Sequence, residues 1–255
     1  MSIIKNEIPL LEFDTEQAAV INPTHEKLDL KLPKKCVFAF LGNYIDEYAQ
    51  KIHATQVSTF ISATKHYPIY VTKYKGEEIV LCQAPVGAAP ATQILDWLIG
   101  YGVHEIISAG SCGALEKFPE STFLVPQKAL RDEGTSYHYA PPSRFIAISA
   151  ASRKAIKATI LEHGMKYQEI ITWSTDGFFR ETKEKVAYRK SEGCSVVEME
   201  CSALAAVSAF RGATWGMILY TADSLADVDK YDERNWGGNA YEYALTLCLD
   251  AVIKL

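Results

Sequence analysis

From about residue 36 onward, short runs of hydrophobic residues alternate along the chain with amphipathic stretches, in which hydrophobic and polar residues are mixed. The segments 36–43 (CVFAFLGN) and 105–110 (EIISAG) are apolar runs of strand length, which is typical of buried strands. Segment 68–85 predicts a β-hairpin about the turn KGEE. The amphipathic stretch 87–102 predicts a helix closed by its final glycine.

The second half of the chain repeats this alternation. Strands are predicted over 168–174, 195–200 and 215–223, and helices over 151–164, 182–193, 201–212 and roughly 238–254. Regular alternation predicts an α/β fold, a single domain whose central mixed or parallel β-sheet is flanked by helices on both faces. In such folds ligands bind at the carboxyl ends of the strands. We expect residues 1–35 to form an N-terminal arm and 36–255 to form the catalytic domain.

The composition narrows the functional classes. The chain has 255 residues, 48% of them hydrophobic, and a net charge of −5, which disfavours nucleic acid or an anionic membrane surface as a partner. Six cysteines without a CxxC pair predict reduced, buried thiols, and the scattered histidines predict no metal site. The N-terminus lacks the basic and continuous apolar segments of a signal peptide, so a cytoplasmic protein is expected.

Polar residues cluster at four predicted strand ends, which would line one cleft. These are LGN (41–43), SAGSCGA (108–114), EME (198–200) and TADS (221–224). In SAGSCGA we expect the strand to meet a turn, where backbone N–H groups and the Ser111 hydroxyl can approach an anion or a sugar. Most glycine–serine turns bind nothing, so this motif alone is weak.

Two carboxylates flank one methionine in the third of these segments. If 198–200 is extended, Glu198 and Glu200 lie on one face and Met199 on the other. A carboxylate can accept hydrogen bonds from adjacent hydroxyls, as in a ribose diol; solvated or salt-bridged glutamates are the alternative. Asp223 similarly predicts either a buried helix cap or a general acid beside a leaving group.

These residues carry a resemblance to a known family. GSCGA, VEMECSAL and the strand ending in Asp223 resemble the hexameric purine nucleoside phosphorylase and uridine phosphorylase family, which also includes nucleosidases. The resemblance runs from about Cys36 to the final helix. It implies a nucleoside substrate, inorganic phosphate as the only co-substrate of a phosphorylase, and a homo-oligomer built from dimers, with a hexamer as the larger assembly.

The resemblance also implies roles for individual side chains. Glu200 matches the glutamate that grips the ribose diol, Met199 packs on the sugar, and Glu198 supports that grip. Phe178 matches the aromatic that faces the base or sugar, with a core aromatic as the alternative. His25 lies near the position of a histidine that reaches a neighbouring subunit's ribose 5′-hydroxyl, with a lone surface histidine as the alternative.

The resemblance also implies which residues protonate the departing base. Asp223 matches the aspartate that protonates N7 of a purine, and Arg234 matches a mobile arginine that assists it; a surface arginine paired to nearby acids is the alternative. Asp223 favours a purine, whereas EMECSAL is closer to the uridine enzymes. The base therefore stays open at this level.

Phosphate binding departs from the family pattern. Gly42 and Ser111 match phosphate-binding positions, but the two expected arginines fall at Asp46 and Ser108. Lys65 matches a third cation, which the neighbouring subunit supplies. The nucleosidases instead place a glutamate at the position of Asp46, where it activates water. Family membership therefore favours a phosphorylase, hydrolysis is the close alternative, and a non-catalytic nucleoside sensor comes third.

Overall fold

The computed structural model describes residues 3–255, which form an α/β fold. Its strands are β1 (Lys35–Ala39), β2 (Thr55–Ile61), β3 (His66–Tyr74), β4 (Glu77–Gln83), β5 (Glu105–Ala114), β6 (Phe123–Asp132), β7 (Phe145–Ala147), β8 (Gln168–Thr175), β9 (Cys194–Glu198) and β10 (Thr214–Ser224). Its α-helices are α1 (Tyr44–Lys51), α2 (Ala88–Gly100), α3 (Ala150–Glu162), α4 (Lys183–Ser191), α5 (Cys201–Phe210) and α6 (Tyr241–Val252).

One mixed sheet organises these elements. The strands follow one another in the order β2, β3, β4, β1, β5, and β5 then pairs with both β9 and β10. Because β10 pairs with β6, β6 with β8 and β8 with β9, these strands return to β5 and close a ring. β1, β4, β5 and β10 are parallel, whereas β5 and β9 are antiparallel. The last residues of β5 therefore meet the last residues of β9.

Helices cover both faces of the sheet, as the sequence predicts. α2 and α5 pack together over one face, with Trp97 and Leu204 in that core. α1, α3 and α6 cover the other face, where Ile45, Ile156 and Leu247 are fully buried. Burial of these apolar side chains fixes the sheet, whose strand ends build the cleft described below.

The N-terminal arm runs along the outside of α2 and α5. The Arg211 guanidinium donates to the carbonyl of Gln17 at 2.8 Å, and the Trp97 indole donates to Glu26 at 2.9 Å. Val20 and Ile21 nevertheless remain exposed. The arm is thus tied down at several points but leaves apolar side chains uncovered.

Several predicted elements are confirmed, and others are corrected. The hairpin 68–85 is β3 and β4, and Gly102 follows α2 with a φ of +122°. The strand predicted over 36–43 ends at Ala39, so Gly42 lies in the loop before α1. β6 was not predicted because Pro126 and the polar residues after it interrupt the apolar pattern, and the β6–β8 register shifts there.

Two further findings concern the cysteines and the hydrophobicity of the helices. All six cysteines are buried free thiols, as predicted. No helix of residues 3–255 combines the length and the apolar character that crossing a bilayer requires.

Candidate active site

A single cleft of about 760 Å³ brings together residues from all four polar segments. It is lined by Phe40, Gly42, Thr64, Lys65, Tyr67, Gln83, Ala84, Pro85, Val86, Pro90, Gly110, Ser111, Cys112, Gly113, Phe178, Glu181, Val197, Glu198, Met199, Glu200, Asp223, Trp236 and Tyr241. Segments far apart in sequence meet here because β5, β9 and β10 converge at their ends.

The glycine-rich segment is strand, not the turn that the sequence predicts. β5 continues through it to Ala114. A Cβ atom on Gly113 would lie 2.9 Å from Leu225 Cδ1 and 3.4 Å from the Asp223 carboxyl. The missing side chain lets β5 approach this carboxyl closely. Ser111 of the same strand is exposed and lines the cleft.

Glu198 ends β9 and anchors the start of α5. Its carboxylate accepts hydrogen bonds from the backbone N–H groups of Glu200 and Cys201 at 2.7 and 2.6 Å. It also accepts from the hydroxyls of Ser174 and Thr172 at 2.5 and 3.1 Å. Burial raises the pKa of Glu198, although these hydrogen bonds favour the ionised form. Four contacts inside the protein make it a rigid support for the residue that follows.

Glu200 is not in an extended strand, so the predicted alternation of faces is wrong. It precedes α5 with φ −135° and ψ −27°, and its carboxylate accepts from the Gly87 N–H at 2.5 Å. Burial, reinforced by the charge of Glu198, raises the pKa of Glu200 to about 8. Glu200 and Met199 both line the cleft. Above this pKa the ionised Glu200 can accept hydrogen bonds from hydroxyl groups there.

Asp223 lies near the end of β10 and is 6% exposed. The Tyr231 hydroxyl donates to its Oδ2 at 3.1 Å. Burial raises the pKa of Asp223, and Tyr231 and Arg234 offset part of that rise. A buried acid with a raised pKa keeps its proton to higher pH, which is what a proton donor requires.

The predicted aromatic residue, Phe178, lies in the cleft. Phe178 lies in a 3₁₀ turn (Phe178–Arg180), lines the cleft and is 42% exposed, so it is not a core aromatic. The ring of Phe179 packs edge-on against it at 5.0 Å between centroids. Trp236 from the loop after β10 also lines the cleft. These rings offer flat apolar surface to a heterocycle.

Glu181 is a cleft residue that the sequence analysis missed. It lines the cleft wall together with Asp223, and burial and the Asp223 charge raise its pKa to about 7. Its position directly after the Phe178 turn was the available signal. No periodicity or motif distinguishes it from the surface glutamates of the following helix.

Among the residues that line the cleft, Lys65 is the one with a cationic side chain. Lys65 lines the cleft of its own chain, and its contribution to a neighbouring subunit's site stays a prediction. Its ammonium donates to Gln83 at 2.6 Å and lies 5.1 Å from the centroid of the Tyr67 ring. Ser108, where an arginine was expected, is fully buried and accepts from the Trp215 indole at 2.9 Å.

Asp46 lies near Lys65 and Tyr70. It is partly buried on α1 and is not among the cleft-lining residues. Burial raises its pKa, and the Tyr70 hydroxyl and the Lys65 ammonium offset part of that rise. Its buried Oδ1 has no hydrogen-bond partner within residues 3–255.

Two other predicted site residues lie outside the cleft. Arg234 donates to the Phe118 carbonyl at 2.7 Å and pairs with Asp232 at 3.5 Å, so it does not contact Asp223 directly. His25 is exposed on the arm, with its ring Nδ1 3.0 Å from the Asn22 carbonyl oxygen.

Comparisons with known proteins agree with this geometry. The chain matches the sequence profile of the Phosphorylase superfamily over residues 34–254. It is 23% identical to a guanosine phosphorylase of Halorubrum lacusprofundi over 162 residues, covering 63% of this chain and 67% of that protein. It is 29% identical to a 5′-methylthioadenosine/S-adenosylhomocysteine nucleosidase of Buchnera aphidicola over 154 residues, covering 55% and 65%.

A solved uridine phosphorylase from Vibrio fischeri has the same fold. The TM-score is 0.72 at 23% identity, over 88% of this chain and 93% of that structure. The chain spans about two thirds of the length of the curated relatives described above. Since the profile match includes every strand and helix that builds the cleft, this chain belongs to the phosphorylase superfamily, a family of phosphorylases and nucleosidases acting on nucleosides.

Proposed function

We propose that this protein hydrolyses the N-glycosidic bond of a purine nucleoside, with water as the nucleophile. The observation that carries the proposal is the charge of the cleft, which holds four carboxyl groups and one ammonium among its lining residues. The carboxyl groups are Glu181, Glu198, Glu200 and Asp223, and the ammonium is Lys65.

The carboxyl groups suit the cleavage step. Glu200 accepts hydrogen bonds from the ribose hydroxyl groups. Asp223 donates its proton to the base, so that the base leaves as a neutral molecule. The C–N bond breaks as the sugar gains oxocarbenium character, which the surrounding negative charge stabilises. The phenyl ring of Phe178 holds the plane of the base.

The same charges disfavour phosphate as the nucleophile. Two like unit charges 4 Å apart repel by about 4 kcal/mol at a partly buried site. A phosphate dianion here would have Lys65 as the one cation among the lining residues to offset its repulsion from any ionised carboxylate. The buried contact between Ser108 and Trp215 occupies one position where the resemblance expects a guanidinium. Water carries no such penalty.

Asp46 is the candidate that activates this water, and because it does not line the cleft it would act through one bridging water. Its raised pKa and its unpartnered Oδ1 give it proton-accepting capacity beside Lys65. We expect Asp46→Asn to lower kcat more than it raises KM, because this carboxyl does not line the nucleoside cleft.

Phosphorolysis is the second candidate, and Lys65 favours it. The ammonium lies in the same cleft as Gly42 and Ser111, where an anion would meet backbone N–H groups and a hydroxyl. Lysine binds phosphate as a point charge without the paired hydrogen bonds of arginine.

Product analysis distinguishes the two reactions. Purified protein is incubated with adenosine, inosine and uridine, with and without inorganic phosphate, and the sugar product is identified. Free ribose at a rate independent of phosphate supports hydrolysis. Ribose 1-phosphate, formed only with phosphate present, would contradict hydrolysis and support phosphorolysis. Binding without base release in both conditions would indicate a sensor.

The acid is tested by Asp223→Asn with Asp229→Asn as the matched control, because Asp229 is an exposed acid of the same loop region. We expect Asp223→Asn to lower kcat by about 10²–10⁴-fold, the usual contribution of a general acid. The control should keep wild-type activity. Wild-type turnover by Asp223→Asn would mean that another group protonates the base.

A further inference from the structure

Glu181 is a carboxyl in the cleft that the proposed chemistry does not use. It lies on the wall shared with Asp223 and Phe178, and it also borders a small adjoining pocket of about 160 Å³. Within residues 3–255 its side chain has no hydrogen bond or ion pair; the charge of Asp223 acts on Glu181, and the charge of Glu181 acts on Tyr231. An unpaired carboxyl facing a binding cleft has free hydrogen-bonding capacity for a ligand.

The backbone holds Glu181 in place. The 3₁₀ turn that carries Phe178 ends immediately before it, and the Thr182 N–H donates to the Arg180 carbonyl at 2.9 Å. The Thr182 hydroxyl then caps α4 by accepting from the Lys185 N–H at 3.3 Å. The backbone that carries Glu181 is therefore fixed between a closed turn and a capped helix, which lowers the cost of ordering a contact there.

The charged groups around Glu181 come from two elements. β10 and the loop after it contribute Asp223, Asp227 and Tyr231, and α4 contributes Lys183 and Lys185. Lys183 is paired with Asp229 and Lys185 with Asp132, and the charge of Lys185 offsets part of the rise in the pKa of Glu181. With burial as the main cause, the pKa of Glu181 is raised to about 7. The group is therefore ionised above neutral pH and protonated below it.

The chemistry of a purine gives this carboxyl a task. Nitrogen N7 and the substituent on C6 lie along one edge of the ring, so a base that receives a proton from Asp223 presents its C6 substituent next to that acid. A carboxylate accepts a hydrogen bond from an amino group and repels a carbonyl oxygen. A carboxylic acid can instead donate to the carbonyl.

We propose that Glu181 is the specificity-determining residue of this cleft, and that its carboxylate selects 6-aminopurine over 6-oxopurine nucleosides by accepting a hydrogen bond from the 6-amino group. The inference rests on the proposed function, in which Asp223 faces the base. Deprotonation of Glu181 then strengthens the preference for the amino substituent.

The test compares kcat/KM for adenosine and inosine at pH 6 and pH 8.5 in wild type, Glu181→Gln and Glu184→Gln. In wild type we expect the adenosine-to-inosine ratio to rise by about tenfold or more with pH, because a hydrogen bond to a charged group contributes about 1.5–3 kcal/mol. Titration of Glu200 and Asp223 affects both substrates and cancels in the ratio. In Glu181→Gln the ratio should be low and independent of pH, since the amide does not titrate and can both donate and accept. Glu184, an exposed acid of the first turn of α4, is the matched control and should behave as wild type.

Binding separates a failure of this inference from a failure of the proposed function. The probes are 9-deazaadenosine and 9-deazainosine, whose carbon–carbon glycosidic bond cannot be cleaved, measured by calorimetry at pH 8.5. A preference for the amino analogue that is lost in Glu181→Gln supports the inference even if no nucleoside is cleaved. Base release with the same adenosine-to-inosine ratio in wild type and Glu181→Gln overturns the inference and leaves the function standing. Failure to bind either analogue overturns both.

Discussion

At the scale of single residues, the two glutamates of the EME segment differ in role. Glu198 spends its carboxylate on four hydrogen bonds within the protein, whereas Glu200 accepts one and faces the cleft. Two residues apart in sequence, one carboxylate supports the backbone and the other is available to a ligand. The difference arises because the strand ends between them and α5 begins.

We predict that Glu198→Gln destabilises the protein by about 1–3 kcal/mol. The amide oxygen can keep the two backbone N–H donors, but the NH₂ group then faces the Ser174 and Thr172 hydroxyls, which lose the oxygen to which they donate. Urea unfolding measures the change, with Glu184→Gln as the exposed control. Equal stability of the two variants would show that the Glu198 hydrogen bonds contribute little.

The position of Glu181 in the cleft cannot be recognised from the sequence around it. It has no motif, no periodic position and no special neighbour in sequence, yet it lies in the cleft with a pKa near neutrality. Its environment is created by Asp223 and Tyr231, which lie far along the chain. Only residues brought together by the fold can shift a pKa in this way.

At the scale of elements, the start of α2 positions the carboxylate of Glu200 in the cleft. Gly87 precedes α2 with φ +103°, and its N–H donates to Glu200 at 2.5 Å. Residues other than glycine rarely adopt this conformation. The loop before one helix thus controls the carboxylate before another.

We predict that Gly87→Ala costs about 1 kcal/mol or more of stability, since alanine is strained at this φ. It should also raise KM for the nucleoside, because the displaced N–H no longer holds Glu200. Gly164→Ala is the matched control: it too has positive φ, at +69°, but lies after α3 and outside the cleft. The control should lose stability without a change in KM. An unchanged KM in Gly87→Ala would show that this hydrogen bond does not position Glu200.

At the scale of the whole molecule, the arm raises the question of assembly. His25 is exposed and lies outside the cleft of its own chain, and Val20 and Ile21 on the same arm are 104% and 71% exposed. Uncovered apolar side chains beside a histidine fit a surface that meets another copy. The homo-oligomer therefore stays a prediction, and the exposed apolar side chains of the arm favour it.

Subunit complementation tests that prediction. His25→Ala and Glu200→Gln are each expected to have low activity, and unfolding and refolding an equal mixture should restore about one site in four, because half of the dimers are mixed and each contains one complete site. Glu200→Gln mixed with the double variant is the control, since no site in that mixture keeps Glu200. Mixed dimers without recovered activity, or a fully active His25→Ala protein, would exclude a role for His25 in a neighbour's site.

The sequence by itself determined the class of fold and most of the cleft's polar segments. Apolar runs and amphipathic helices are local patterns, and burial of their apolar faces leaves few alternatives to a helix-covered sheet. LGN, GSCG, EME and Asp223 are likewise contiguous in sequence, so each could be noticed where it stands. Their family resemblance followed from the same short segments.

The tertiary structure alone decided how these segments meet. The closed ring of β5, β10, β6, β8 and β9 depends on pairings between distant strands, including β6, whose proline hides its pattern. In this arrangement the glycine-rich segment is strand rather than the predicted turn. Lys65 lines the cleft of its own chain, whereas Asp46 is not among the lining residues. Proximity, burial and electric field belong to residues assembled from the whole chain, which is why Glu181 and the charge balance of the cleft could not be read from any one stretch of sequence.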